Sequence, residues 1–473
     1  MPLTRRAPKK ANIRVNDPRL RVWNDKPVRS GDYVAYWCQA SRRAVDNVAL
    51  EYAIKRANEL SLPVVVYEAL RPDYPYASDR FHKFILECAR DSARILAQRG
   101  IAHGFFLPRT ADEAKGVAAQ VFARAALVVS DDHPSFVYPR QNSAAARNAL
   151  CTYFTVDDAA IAPLALIPAH ESQARTIRPK LRALLDEWLM PVTQVTPQID
   201  PPAIDWPFDP VDLDRADLDA LVAECAIDHE VRALEDRHGG SREAWSRLAT
   251  FLARGAKSYD EGREDPSEDG TSNLSAYLHF GAISARACAL AARDAGLPQA
   301  SLDAYLEQLV VRRGLAFNHA AREPRHAMWE GVPEWARATL LAHAKDERPD
   351  AKPPALLERA KSDDPVWNAA QRELVLYGRI HNVLRMFWGK RLIALVKRPR
   401  DAFELAVRMM DRYALDGRDP NTYAGVGWCF GLHDRPFPER PIYGTVRPMG
   451  IGALKKRFDP KEWAETIPML PKR

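Results

Sequence analysis

The chain has 473 residues, 47% hydrophobic and 27% charged, with a formal net charge of +6. That length and apolar content predict two or three ordinary globular domains, and no apolar run approaches the roughly 18 residues of a membrane span. The weak positive charge is compatible with nucleic acid but, taken alone, does not argue for it.

In chain order, residues 1–28 read as a flexible basic tail; Arg5, Arg6, Lys9 and Lys10 have no apolar stretch behind them, so this is not a secretory signal. Over 29–165, short apolar runs alternate with helical patterns. Val34–Trp37, Pro63–Tyr67, His103–Leu107, Ala126–Ser130 and Thr152–Val156 read as strands. The second is a β-branched run of the kind found in doubly covered parallel sheets. Phe81–Gln98 reads as a helix with Phe84, Ile85, Cys88 and Ile95 on one side. This alternation predicts a Rossmann-like parallel sheet with right-handed crossovers. The half contains no Gly-x-Gly-x-x-Gly and no Walker loop, which argues against a standard dinucleotide site there.

Residues 166–212 carry Pro168, Pro179, Pro191, Pro197, Pro201, Pro202 and Pro207 and read as a linker crossing the surface. From 213 to 473 the pattern is helical, with helices expected over 243–256, 276–295, 301–317, 370–396 and 401–412. The expected fold class is α/β + α, a parallel α/β domain followed by an all-helical one. The six cysteines are scattered, with no Cys-x-x-Cys pair. They read as reduced, mostly buried thiols of a cytoplasmic protein rather than as ligands of zinc or an iron–sulfur cluster. Basic residues concentrate between Arg385 and Arg457. On one face they would bind phosphates with a salt-dependent affinity; spread over several faces they would only be solvated.

Asp411–Asn421 and Trp428–Pro436 alternate Asp and Arg among Gly and Pro. Charges are not buried unpaired, so this reads as a pocket wall or an exposed loop. Tyr413, Tyr423, Trp428 and Phe430 suit a flat guest, a planar cofactor or a nucleobase.

These segments, with three others, resemble those of class II photolyases, flavin enzymes that split cyclobutane pyrimidine dimers in DNA with light. Ser272–Gly281 is similar to their Ser-x-Leu-Ser-Pro-Tyr-Leu-His-Phe-Gly, Asp364–Gln371 to Asp-Pro-x-Trp-Asn-Ala-x-Gln, and Arg385–Lys390 to Arg-Met-x-Trp-x-Lys. The resemblance implies FAD in the helical half and an antenna chromophore of deazaflavin type in the α/β half. It implies damaged DNA as the partner of a monomer without metal or membrane. It places Tyr259, Ser272, Asn273, Leu274, Ser275, Gln371, Arg385, Asp416 and Asp419 at the flavin. Ser272 and Ser275 would offer hydroxyls to phosphate at a helix start. Arg385 and Asp416 would form an ion pair beside the isoalloxazine. Trp388 and Trp367 match the first two members of the photoreduction chain, while Arg263, Met386 and Trp428 match the substrate side, with Trp428 stacking on the flipped dimer.

The sequence departs from this pattern at identifiable positions. The third Trp is Leu395, so a hole needs another exit, such as Tyr377, or stops at Trp367. The acid that contacts the pyrimidine pair is Gln308, which keeps a donor and an acceptor but supplies no proton. A second Glu is Gly314, a Tyr is Val383, and the Asn facing flavin N5 is Met410, whose thioether cannot replace an amide. The antenna motif Val-Asp-x-His-Asn-x-Val-Pro is Val156–Pro163 here, without its His and Asn. The first expectation is light-driven dimer repair in weakened form, with Trp367, Trp388, Gln308 and Met410 nearest the chemistry. The alternative is a photolyase-like flavoprotein that has lost repair, a cryptochrome-type light sensor or a flavin enzyme on another substrate. A nucleic-acid-binding protein without cofactor is the third reading.

Overall fold

A computed structural model describes residues 17–268 and 270–471; the basic run Arg5–Lys10 lies outside them. Six strands form one sheet: β1 Leu20–Val22, β2 Tyr33–Cys38, β3 Val64–Ala69, β4 Ala102–Phe106, β5 Ala125–Asp131 and β6 Thr152–Val156, in the order β1-β6-β5-β2-β3-β4. β2 to β6 pair in parallel at the five predicted runs. Val34, Tyr36, Val66 and Leu127 pack on one face against Leu50 and Ile54 of the helix Val48–Leu60. Tyr33, Ala35, Val65 and Val128 pack on the other against Val121 and Phe122. Burial on both faces is why these strands read as continuous apolar runs rather than alternating ones.

The edge strand β1 falls inside the stretch read as a tail. It pairs antiparallel with β6, Leu20 opposite Val156. Arg19 fastens it, donating from Nη1 to Asp157 O at 2.7 Å and from Nη2 to Ile161 O at 2.6 Å. Three residues, none fully buried, carry no periodic signal, and their partners lie more than a hundred residues away.

The loop after β2 explains the missing phosphate motif. In a dinucleotide fold the backbone N–H groups after the first strand hold a phosphate. Here Asp131 Oδ2 accepts from the N–H groups of Gln39, Ala40 and Ser41 at 2.8, 2.7 and 3.1 Å. The chain's own carboxylate occupies the anion position.

The Pro-rich stretch does more than cross the surface. Its helix Ala174–Ala183 buries Ile177 and Leu181. Leu181 Cδ1 lies only 2.6 Å from where a Cβ on Gly314 would stand, so a side chain from the linker fills the space that a larger residue at 314 would need.

In the helical half, two expected helices are broken. The 276–295 segment forms Ser275–His279 and Ala285–Asp294. The break contains Gly281, at φ +70°, where a Cβ would meet Ala40 O at 2.0 Å; the backbone runs directly against the loop after β2. The 370–396 segment is split at Gly378 (φ 60°) into Pro365–Tyr377 and Asn382–Leu395. The 301–317 segment is helical but opens into a π-helical turn, Glu307–Arg312, between Gln299–Leu306 and Arg313–Arg322. Pro399–Tyr413 matches its expected helix, and Pro420–Cys429 was not foreseen.

The two halves share a core, in which Phe81 and Phe84 of the helix Asp79–Gln98 pack on Tyr277 and Phe280. Buried ion pairs reinforce the seam: Arg43 with Asp158, and Arg286 with Asp46 at 3.0 Å and Asp158 at 3.2 Å. A second core around Trp367, Phe387, Trp388, Phe403 and Phe430 lies within the C-terminal part. Among the described residues no helix is long and apolar enough to cross a membrane, no cluster could hold a metal ion, and the six cysteines are free and buried.

Candidate cofactor and substrate site

The site starts from two helices fixed by their first residues. Asp364 caps Pro365–Tyr377, accepting from Val366 N at 3.1 Å and Trp367 N at 3.0 Å, and the proline that follows is preset for a first helical turn. This sets Trp367 and Gln371 one turn apart, facing Asn382–Leu395. Trp367 and Trp388 stack with ring centroids 6.3 Å apart and planes within 6°. Both are essentially fully buried. The indole of Trp367 donates to Trp388 O at 3.0 Å, and that of Trp388 to Gln371 Oε1 at 2.9 Å. Gln371 gives its amide nitrogen to Glu358 O at 3.2 Å, so its oxygen and its nitrogen both have partners within the protein. Leu395, fully buried, ends the second helix, and Tyr377 ends the first half-buried.

One turn before Trp388, Arg385 Nη2 meets Asp416 Oδ1 and Oδ2 at 3.1 and 2.9 Å. Thr422 Oγ1 donates to the Asp416 carbonyl at 2.6 Å, steadying that loop. Asp419 is buried, caps Pro420–Cys429 through Asn421 N at 2.8 Å, and faces His279 Nδ1 at 3.2 Å. Burial alone would raise its pKa, but the His279 hydrogen bond and the Arg313 charge outweigh it and hold Asp419 well below the usual carboxylate range. Asp419 thereby ties the 411–421 loop to the 272–281 segment. Met410 is fully buried on the last turn of Pro399–Tyr413.

The 272–275 segment faces two cations that the sequence did not mark, Arg237 and Arg379. Asn273, at φ 54°, accepts from Arg379 Nη1 at 2.6 Å on its side chain and from Arg237 Nη1 at 3.4 Å on its carbonyl. Arg237, Arg263, Arg379 and Arg385 each retain a buried Nε–H without an acceptor. Buried donors are normally satisfied, so the unmet Nε–H groups of Arg237 and Arg379, which both donate to Asn273, and of Arg385 at Asp416 fit an anionic guest such as a diphosphate. Ser272 and Leu274 lie inside this region; Ser275 is exposed at the start of its short helix. Nothing in the sequence marked Arg237 or Arg379, because each is a single Arg brought in by a different loop.

Glu373 is the buried acid beside these cations, with Arg379 Nε at 3.9 Å. Burial pushes its carboxyl up to about 7, although Arg379 and Arg385 pull it the other way. A folded-state value above the unfolded one means that stability falls as pH rises between the two. Glu373→Gln, which mimics the protonated acid, is expected to leave the melting temperature near pH 4.5 almost unchanged and to stabilise the protein at pH 8, by on the order of 3 kcal/mol. Melting curves at the two pH values check the sign.

Tyr259, expected at the flavin, is buried against Phe251 and Tyr305, with centroids 5.6 and 5.3 Å away. The guanidinium of Arg263 lies 6.0 Å from the Tyr259 ring. Met386 is half-buried, with its Cε 3.8 Å from where a Cβ on Gly425 would stand, which places it against the helix carrying Trp428. Trp428 and Gln308 are both half-buried. A wide cleft of about 780 Å³ lies elsewhere, at the ends of β5 and β6, lined among others by Arg19, Asp132, His133, Arg140, Asp157 and Arg322. The Val156–Pro163 segment borders it through Asp157, while Asp158 is taken up by Arg43 and Arg286.

The fold defines the class first. The chain matches the crystal structure of a bacterial class III photolyase from Agrobacterium tumefaciens with a TM-score of 0.70, covering 93% of this chain and 87% of that one at 18% identity. It matches an archaeal photolyase from Sulfolobus tokodaii, solved with two FAD molecules, with a TM-score of 0.63 over 91% and 88% at 17% identity. An α/β domain joined to a helical one in this arrangement is the photolyase fold. The DNA photolyase family pattern matches residues 34–201. The chain is 35% identical over 461 residues to the deoxyribodipyrimidine photo-lyase of Methanothermobacter thermautotrophicus, covering 96% of this chain and 98% of that one. It is also 35% identical over 459 residues to that of Oryza sativa, covering 93% and 88%. This chain belongs to the photolyase family.

Proposed function

We propose that this protein binds FAD in its helical half and repairs cyclobutane pyrimidine dimers in DNA under light, as a divergent class II photolyase. The observation that carries the reading is the Trp367–Trp388 stack, which runs within one helical turn of the Arg385–Asp416 pair and its neighbouring cations. The relatives named deoxyribodipyrimidine photo-lyases support it.

Arg237, Arg379 and Asn273 would hold the diphosphate, with Ser272 and Leu274 beside them. Arg385 would keep a fixed positive charge near the ring system, with Asp416 orienting it. When bound and reduced, FAD supplies the light-driven electron for the dimer. Trp388, oriented by Gln371, and Trp367 relay electrons inward through a path closed to water. Asp419 and Tyr259 shape the pocket rather than reach the chemistry. Trp428 stacks on a flipped-out base, as enzymes acting on extruded nucleotides require. Met386, Arg263 and Gln308 face the same guest. An antenna would have the cleft beside Asp157 available.

A second reading, a flavoprotein without repair, is favoured by one observation: Leu181 occupies the space in front of Gly314, so this wall is closed by a methyl group instead of an acid. One experiment separates the readings. The purified protein is denatured to release flavin, and the reduced holoprotein is given dimer-containing DNA under near-UV light. Released FAD with light-dependent repair is the expected result. FAD without repair selects the second reading. No flavin, even after incubation with FAD, removes both.

A further inference from the structure

The π-helical turn Glu307–Arg312 holds a residue that the family resemblance did not single out. π-turns cluster at functional sites because they re-aim side chains that a regular helix would point elsewhere. Here the turn carries Gln308 and Arg312 on successive turns of the same helix. The Arg312 guanidinium lies 5.8 Å from the centre of the Trp428 ring, and its side chain is 42% exposed.

Arg312 is also held from behind. Glu307 is gripped in a forked pair by Arg178, Nε to Oε2 at 2.9 Å and Nη2 to Oε1 at 2.8 Å. The same carboxylate meets Arg312 Nε at 3.5 Å and Arg182 Nη2 at 4.0 Å. One carboxylate therefore serves three guanidinium groups. Arg263 adds a fourth positive charge nearby, with its closest carboxylate, Glu264, 3.8 Å away and shared with Arg457. Burial first, then Arg178 and Arg263, push the Arg312 pKa down against the pull of Glu307. The face of Trp428 is thus bordered by uncompensated positive charge, and the best-placed forked donor there is Arg312.

We propose that Arg312 is a lesion-recognition residue: it donates to the carbonyl edge of a pyrimidine stacked on Trp428, taking the place of a carboxylic acid that this chain lacks at Gln308 and Gly314. This rests on the repair reading above. A guanidinium suits the task because it is planar, always charged and presents its donors in a fixed fork. Glu307, itself fixed by Arg178, anchors its Nε at 3.5 Å. Arg182, one turn further along the linker helix and only 4.0 Å from Glu307 at its nearest, is left to face phosphates.

The test is equilibrium binding of the FAD-loaded protein in the dark, with one single-stranded oligonucleotide carrying a pyrimidine dimer and the same strand undamaged, over a series of salt concentrations. Arg312→Gln is expected to cut the preference for the damaged strand about 10- to 100-fold, the range of one hydrogen bond to a charged group, while affinity for the undamaged strand and its salt slope stay unchanged. A mere phosphate contact would weaken both strands alike and lower the slope by about 0.7, and that result overturns the assignment. A retained preference overturns it too. If Arg312→Gln does not fold, Arg312→Lys carries the test, because it keeps the charge and loses the fork: a reduced preference supports the proposal, an undiminished one overturns it. Absence of any preference in the unmodified protein removes the repair reading itself, a different outcome from retained preference in the variant.

Discussion

Trp428→Ala is expected to abolish light-dependent repair, while Gln308→Glu raises it above that of the unmodified protein. Trp428 is half-buried at the end of Pro420–Cys429 with one face towards Arg312. Base–aromatic stacking contributes about 1–3 kcal/mol per base, and an extruded dimer has no other aromatic partner among the side chains assigned to this wall. In the proposed repair, Gln308 would keep a neutral N–H donor where charge develops on a pyrimidine carbonyl. Losing a charge-stabilising contact entirely costs about 2.7–4 kcal/mol, or 10² to 10³ in rate; the amide retains part of that, so the unmodified protein should repair weakly and Gln308→Glu should recover a part of the deficit. The measurement is dimer loss per photon with the flavin fully reduced. Vigorous repair by the unmodified protein would show that Gln308 does not limit the reaction.

Trp388→Phe is expected to remove most of the photoreduction of bound FAD by an external thiol. Phe is far harder to oxidise than Trp, so the relay loses its member nearest the Arg385–Asp416 pair. The substitution also strands Gln371 Oε1, which now accepts from the Trp388 indole; a buried acceptor left unmet costs about 1–3 kcal/mol, so a melting curve must accompany the kinetics. Leu395→Trp is expected to act in the opposite direction, raising the yield by giving the hole a further step outward. Leu395 is fully buried, and overpacking a core costs about 1–3 kcal/mol, so this gain comes with lower stability. A folded Leu395→Trp protein with unchanged yield would show that the missing relay is not the limitation.

Much of the architecture was legible because it is local. The five parallel strands announced themselves as apolar runs, since both faces of each are covered. The helix carrying Trp367 and Gln371 was expected only from 370, and its Asp364–Pro365 start came from the structure. The ion pair between Arg385 and Asp416 was expected from resemblance, and the two side chains do meet. The breaks at Gly281 and Gly378 were harder to see. Each needs a left-handed backbone, but the first is demanded by contact with Ala40, 241 positions earlier in the chain, which no periodicity reports.

What the sequence by itself determined is the five parallel strands, the helical character of the C-terminal half, the absence of a glycine-rich phosphate loop, and the residue types that gather at the C-terminal end. Those follow from side-chain period, turn chemistry and composition, all of which act over a few residues. The tertiary structure alone decided that Asp131 fills the anion position after β2, and that Gln371 serves Trp388. It also decided that Arg237 and Arg379 converge on Asn273, and that the π-turn sets Arg312 beside Trp428. Each of these depends on hydrogen bonds or charges between elements distant in the chain, and their partners are chosen by how the two halves and the linker dock, not by any local pattern.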